Sequence, residues 1–161
     1  MKKNEMDIGR LREIFYCDPA DGVLRYRVAR AAEKVGAAAG YINVSGYRIV
    51  MVDYKAFSAH RVVWALVTGE WPEFPLDHRD LNKDNNGFAN LRLASGTLNS
   101  ANTRVRREGK KGVSKRRNKF LAHIKKDGQQ YHLGVFDTED DAHAAYCKKA
   151  VEFFGEYARF E

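Results

Sequence analysis

Cysteine is scarce in this chain: Cys17 and Cys147 are the only two in 161 residues. They form neither a disulfide framework nor a zinc-ligand spacing, which fits a reducing compartment and an expected cytoplasmic location. Long apolar runs are missing as well. The longest, residues 62–67, is far too short to cross a bilayer, so no membrane partner is expected. The opening MKKNEMDIGR lacks the apolar segment of a secretory signal. No internal repeat is visible. The aromatic residues form no obvious exposed stacking platform, which ranks an RNA-binding or nonspecific nucleic-acid module low. What is present is 44% hydrophobic residues, enough to bury a core in one or two small domains.

Charge is distributed unevenly. The net +7 conceals a stretch at residues 104–126 that holds eleven Lys or Arg against a single acid, Glu108. Residues 1–103 carry only +2, and residues 127–161 carry −5. A solvated linker or tail can look like this. A concentrated positive stretch is also the electrostatic footprint of a polyanionic partner.

The most specific pattern lies upstream, in PLDHRDLNKDNNGFANLRLASGTLNSAN at residues 75–102. Asp77-His78 is followed by Asn90, twelve residues beyond the histidine, and by Asn99, twenty-two beyond the aspartate. An imidazole titrates near neutral pH and suits a general base. On an extended segment adjacent side chains point to opposite faces, so one residue can hold a metal while its neighbour faces water. Polar groups returning at these separations suit a hairpin followed by a helix, which places a base against one hard divalent ion. Each element alone has a plainer reading, since Asp84-Asn85-Asn86-Gly87 is ordinary turn chemistry.

Together, Asp77, His78, Asn82, Asn86, Asn90, Leu91, Arg92 and Asn99 resemble the ββα-metal motif of HNH nucleases, in the variant whose last His is Asn. That variant is typical of phage and intron-encoded homing endonucleases. The resemblance implies His78 as the catalytic base and Asn90 as a catalytic-loop brace. It implies Asp77 and Asn99 as ligands to one divalent metal ion, Mg²⁺ or Mn²⁺, which hard oxygen donors favour over zinc. No small-molecule cofactor is implied. Just ahead, AHRVVWALVTGEWP reads as a helix from about Ser58, an N-cap candidate, to Gly69, a C′ candidate. Its Val62, Val63, Leu66 and Val67 are expected under the site. His60 is read as structural, because it lies at a helix start.

Beyond the basic stretch, Phe120, Ala122 and Ile124 alternate with Leu121, His123 and Lys125 as in a half-buried strand. Asp127-Gly128 is a hairpin turn signal, and residues 131–136 form the next strand. Thr138 with Asp141 opens a capped helix that Gly155 stops. The block resembles the AP2 DNA-binding domain through Lys111-Gly112-Val113, the strand at 120–124, Leu133-Gly134-Val135-Phe136-Asp137-Thr138 and Ala142 to Tyr146. The resemblance implies that the sheet enters a major groove. Ser114, Arg116, His123, Lys125 and His132 would face double-stranded DNA, and Lys115, Arg117 and Lys119 would meet phosphates. The plant pattern has Arg, Glu and Trp where this chain has Ser114, His123 and His132, so base preference does not transfer. His123, His132 and His143 show no metal-ligand spacing, and Tyr131 belongs to the core side.

The N-terminal part reads as a short amphipathic helix at residues 5–16 and a strand at 23–28. A loop at 29–40 precedes strands at 41–44 and 47–52, joined at Ser45-Gly46. Tyr54-Lys55 makes the next turn. Arg25, Arg27 and Arg48 alternate outward, towards DNA or solvent.

The expected fold class is therefore α+β. Small N-terminal strands and helices precede a ββα-metal unit, then a three-stranded antiparallel sheet packed on one helix. The expected domains are 1–105, with the nuclease core about 74–105, and 106–161. The expected function is a metal-dependent, site-selective, homing-type endonuclease acting in the host cytoplasm if phage-encoded. The alternative is a DNA-binding regulator with an inert HNH unit. Neither oligomeric state nor recognition site is legible at this level.

Overall fold

The structure is a computed structural model that describes residues 5–29, 33–94 and 109–160. The chain divides into two compact units, Met1–Leu93 and Ala94–Glu161.

In the first unit, helix α1 (Ile8–Ile14) begins where the Asp7 carboxylate accepts the Arg10 N–H at 2.9 Å. Leu11 and Ile14 are its buried face. The chain continues into β1 (Phe15–Tyr16), which pairs antiparallel with β2 (Arg25–Tyr26). Next come β3 (Tyr41–Ile42), β4 (Arg48–Val52) and β5 (Lys55–Ser58), a three-stranded antiparallel sheet in that order. Asp53 and Tyr54 turn β4 into β5 with φ of 45° and 62°. The turn was anticipated at Tyr54-Lys55, but β5 itself was not. Helix α2 (Ala59–Thr68) follows directly. Gly69 ends it in the left-handed region at φ 81°, as expected, whereas the Ser58 side chain makes no capping bond.

One core joins these pieces. Leu11, Phe15, Leu24, Val50, Val52, Val62 and Val63 are completely enclosed, and Leu91 closes the cluster from the site hairpin. That hairpin is β6 (Leu76–His78) against β7 (Leu91–Leu93), with a short 3-10 turn at Phe88–Asn90.

The second unit is a three-stranded antiparallel sheet, with β9 (Lys119–Lys126) between β8 (Val113–Arg116) and β10 (Gln129–Phe136). Helix α3 (Glu139–Phe154) packs on one face. Thr138 Oγ1 accepts the Asp141 N–H at 3.1 Å, which is the anticipated cap. Asp127 and Gly128 both take positive φ, 50° and 82°, as a tight two-residue hairpin demands. Ile124, Tyr146, Ala150 and Phe154 form the core, and Tyr131 sits edge-on to Phe153 at 5.0 Å. Gly112 runs so close to α3 that a Cβ there would lie 1.9 Å from the Tyr146 ring. Only glycine fits at that position.

Among the described residues no helix is long and apolar enough to cross a membrane.

Candidate active site and nucleic-acid interface

The hairpin register fixes the site. Leu76 pairs with Leu93, Asp77 with Arg92 and His78 with Leu91. Alternation along β6 turns His78 and Asp77 to opposite sides. His78, 4% exposed, faces the core side, where its ring lies 5.2 Å from His60 and 6.1 Å from Tyr47.

His78 Nε2 meets Asn86 Oδ1 at 3.2 Å. The Asn86 amide donates its Nδ2–H to the Asp84 carbonyl at 3.2 Å, which leaves Oδ1 as the acceptor facing the imidazole. A neutral His78 therefore carries its proton on Nε2 and its lone pair on Nδ1. Asn86 is itself 2% exposed.

The loop between His78 and Asn90 is cross-braced. Asn90 Nδ2 donates to Asp80 Oδ1 at 2.9 Å and to the Asn85 carbonyl at 2.8 Å. Its Oδ1 accepts the Asp80 N–H at 3.1 Å, and its carbonyl accepts the Arg79 N–H at 2.9 Å. Asn85 adds a bond to Asp80 Oδ2 at 2.7 Å. Burial pushes the Asp80 carboxyl up, but hydrogen bonds from Asn85, Asn90 and the Asn82 backbone outweigh it, aided by His78. The group ends below its ordinary value.

Neighbouring elements clamp the same loop from outside. Arg48 on β4 forks onto Asp84 with bonds of 2.7 and 2.9 Å. Lys83 donates to the Ser45 carbonyl at 2.9 Å and lies 4.7 Å from the Tyr47 ring centre. Gly22 presses its backbone against the loop, where a Cβ would come 2.0 Å from the Asn86 carbonyl oxygen. The first unit's small sheets are thus the mould for the His78 loop. The outward arginines are correspondingly engaged: Arg48 on Asp84, Arg25 on Asp21, and Arg27 on the Phe15 carbonyl.

Asp77 is 12% exposed at its side chain and ion-paired with Arg92, which is 6% exposed. Arg92 Nε and Nη2 both donate to Asp77 Oδ2, at 3.0 and 2.9 Å. An anionic oxygen donor of this kind suits a hard divalent ion. Asn99, its expected co-ligand, lies outside the described residues, as does the helix expected to carry it. Among the described residues no group of three or more His, Cys, Asp or Glu side chains converges as a metal cluster.

His60, read from sequence as a structural residue at a helix start, is the second residue of α2 and also lies against His78. It is 8% exposed, and its Nδ1 has no hydrogen-bond partner among the described residues. Burial, and then the nearby His78 and Arg61, push its imidazole down to about 4. Val62 and Val63 are enclosed in the core cluster that Leu91 of the site hairpin joins, while Leu66 and Val67 are only partly buried against it.

In the second unit, register sorts the basic residues. Ala122 and Ile124 are buried towards α3, so Lys119, Leu121, His123 and Lys125 share the opposite face of β9. Ser114 pairs with Leu121, Arg116 with Lys119, and His123 with His132, which brings these residues onto that open face. Lys115 instead pairs with Phe120, on the α3 side, and its ammonium lies 5.8 Å from that ring. Arg117 occupies the turn after β8 with φ 53°, and Lys119 is ion-paired to Asp137. His143 donates its Nδ1–H to the Lys111 carbonyl at 3.1 Å, fastening α3 to the start of β8.

Comparison with known proteins bears on the first of these arrangements. Residues 57–101 match a family model described as HNH endonuclease. The chain is 37% identical over 121 residues to an uncharacterized HNH endonuclease, L560, of Acanthamoeba polyphaga mimivirus. That match covers 73% of this chain and 64% of the relative, so the chain spans about two thirds of the mimivirus protein's length. It is 30% identical over 113 residues to protein 3.8 of Escherichia phage T7, covering 66% of this chain and 93% of that one. This chain belongs to the HNH endonuclease family. A solved structure titled as DNA binding and cleavage by the HNH homing endonuclease I-HmuI matches at 26% identity and a TM-score of 0.42. It covers 59% of this chain and 54% of that chain.

The HNH match encloses His60, Asp77, His78, Asn86, Asn90, Arg92 and Asn99. Three of these had no role expected from sequence, or a merely structural one: Asn86, Arg92 and His60. Arg92 was recoverable from pattern. Matching Leu76 with Leu93 as the outer apolar ends of the hairpin sets Arg92 opposite Asp77. Nothing local to residue 60 signals that its ring reaches His78.

Proposed function

We propose that this HNH protein is a metal-dependent endonuclease that hydrolyses phosphodiester bonds of double-stranded DNA. The observation that carries the reading is the hold of Asn86 on His78 Nε2, which leaves the lone pair on Nδ1. Nδ1 takes a proton from the attacking water, and the imidazolium that forms keeps its Nε2–H on Asn86 Oδ1. Asn90 keeps the loop that carries both residues in one shape, so the base does not reorganise during the reaction. Asp77 and Asn99 would hold one divalent ion, Mg²⁺ or Mn²⁺. When bound, it supplies positive charge at the scissile phosphate and its leaving oxygen.

The open face of the second unit supplies DNA affinity and part of the site selectivity in this reading, as an AP2-like sheet. Ser114, Arg116, His123, Lys125 and His132 face the bases, while Arg117 and Lys119 meet the backbone. Support comes from the register that gathers Ser114, Arg116, Lys119, His123, Lys125 and His132 on the sheet face away from α3, with Arg117 in the adjoining turn. Lys115 contributes from the sheet edge. A nuclease region that runs past the compact-unit boundary at Leu93 to about residue 105, and a homing role in a phage or other virus, belong to the same proposal.

The test is incubation of a pooled DNA library with Mg²⁺ or Mn²⁺, sequencing of ends on each strand, and an EDTA control. Metal-dependent ends at a recurrent sequence support the reading and report nicking directly. Tight binding without cleavage, on a library that includes the gene's own genomic neighbourhood, supports a DNA-binding regulator instead.

A further inference from the structure

Arg92 has no assigned part in the chemistry, yet it is among the most enclosed charged side chains of the first unit. Its guanidinium shares the interior of a hairpin only three residues long on each strand, where apolar pairs would pack without desolvation cost. A buried ion pair of this kind is weak evidence for stability, because burying two charges offsets most of their attraction. Its geometry has a different consequence. Two donors from one rigid fork, Nε at 3.0 Å and Nη2 at 2.9 Å, converge on the single oxygen Oδ2 of Asp77. The direct cross-strand pairing of Asp77 with Arg92 leaves the fork little freedom to swing. Such a grip sets the carboxylate plane before any ligand arrives.

We propose that Arg92 is a positioning residue that orients the Asp77 carboxylate for the divalent ion. This rests on the reading of Asp77 as a metal ligand given above. Groups that hold metal ligands in place influence affinity without touching the metal, and their removal typically costs about 10–100-fold in binding. Lysine in place of Arg92 keeps the charge but offers one compact ammonium instead of a fork, so the carboxylate can pivot. Glutamine keeps a planar polar group and removes the charge.

The experiment is Mn²⁺ titration of the full-length protein, read by the electron paramagnetic resonance signal of the unbound ion. Wild type, Asp77→Ala, Arg92→Lys and Arg92→Gln are compared, with circular dichroism melts on each. The expected result is binding by wild type, loss of that site in Asp77→Ala, and affinity weaker by about tenfold or more in whichever Arg92 variants fold. Wild-type affinity in a folded Arg92 variant, with Asp77→Ala still defective, overturns the role of Arg92 and leaves the ligand assignment standing. Binding unaffected by Asp77→Ala, or absent in wild type, overturns both. Failure of both Arg92 variants to fold also overturns the proposal, since Arg92 would then be holding the strand pair itself.

Discussion

The imidazoles of His60 and His78 lie edge to face, 5.2 Å between centres at 78°, within the wall of one core. His60 enters from the start of α2 and His78 from the end of β6, so two distant segments meet at the residue we assign as the base.

The burial of His60, with His78 beside it, makes folding pH-dependent in a defined direction. The His60 imidazole is held down to about 4, while an unfolded chain restores its ordinary 6.5. Between those values the unfolded chain binds the additional proton. The contribution of neutral His60 to stability is complete above 6.5 and falls away as pH drops towards 4. The loss is on the order of 3 kcal/mol. Urea melts from pH 7.5 to 4 measure the slope, and His60→Phe flattens it. An unchanged slope in that variant would place the acid sensitivity elsewhere.

Asn86→Ala removes the acceptor from a buried imidazole N–H. The expected destabilisation is about 1–3 kcal/mol, the usual cost of an orphaned buried donor. Cleavage slows in parallel, with KM for DNA unchanged, because Asn86 orients the base and is not proposed to touch substrate. A wild-type turnover number in the folded variant would contradict the assigned tautomer.

Asn90→Ala strips three side-chain hydrogen bonds from the Asp80–Asn85 loop. Stability is expected to fall by about 1–3 kcal/mol. The Asp80 carboxyl is expected to move back up, since Asn90 is one of the donors holding it down. Carbon-detected NMR titration of Asp80 reads this shift in the folded variant.

For the second unit, Arg117→Ala and Lys119→Ala are expected to weaken binding to all duplexes and to flatten its salt dependence. The slope of log affinity against log salt drops by roughly one for each phosphate that the variant no longer neutralises. Fluorescence anisotropy across a salt series measures it. Unchanged slopes in both variants would remove the open sheet face from the DNA interface.

Local chemistry explains what could be read in advance. Asp127-Gly128, Thr138 with Asp141, and Gly69 each declare a turn or cap within a few residues, and the structure places each as expected. Strand β5 escaped because Ala56 and Phe57 are too few to show alternation beside a strong helix. At the site, Asp77 and His78 were legible as a chemical pair, and the crosslinks around them were not. Arg48 to Asp84 and His60 to His78 join residues far apart in the chain, and no local pattern encodes them.

His78 Nδ1 is proposed as the base of a DNA-cutting site. The most direct measurement is single-turnover cleavage of an identified duplex by wild type and His78→Ala in Mg²⁺, with DNA affinity and thermal melting checked for both. A rate loss of about 10²–10⁴ is expected in the variant, as removal of a general base typically gives. DNA affinity should be unchanged. Equal rates for the two proteins would contradict this assignment.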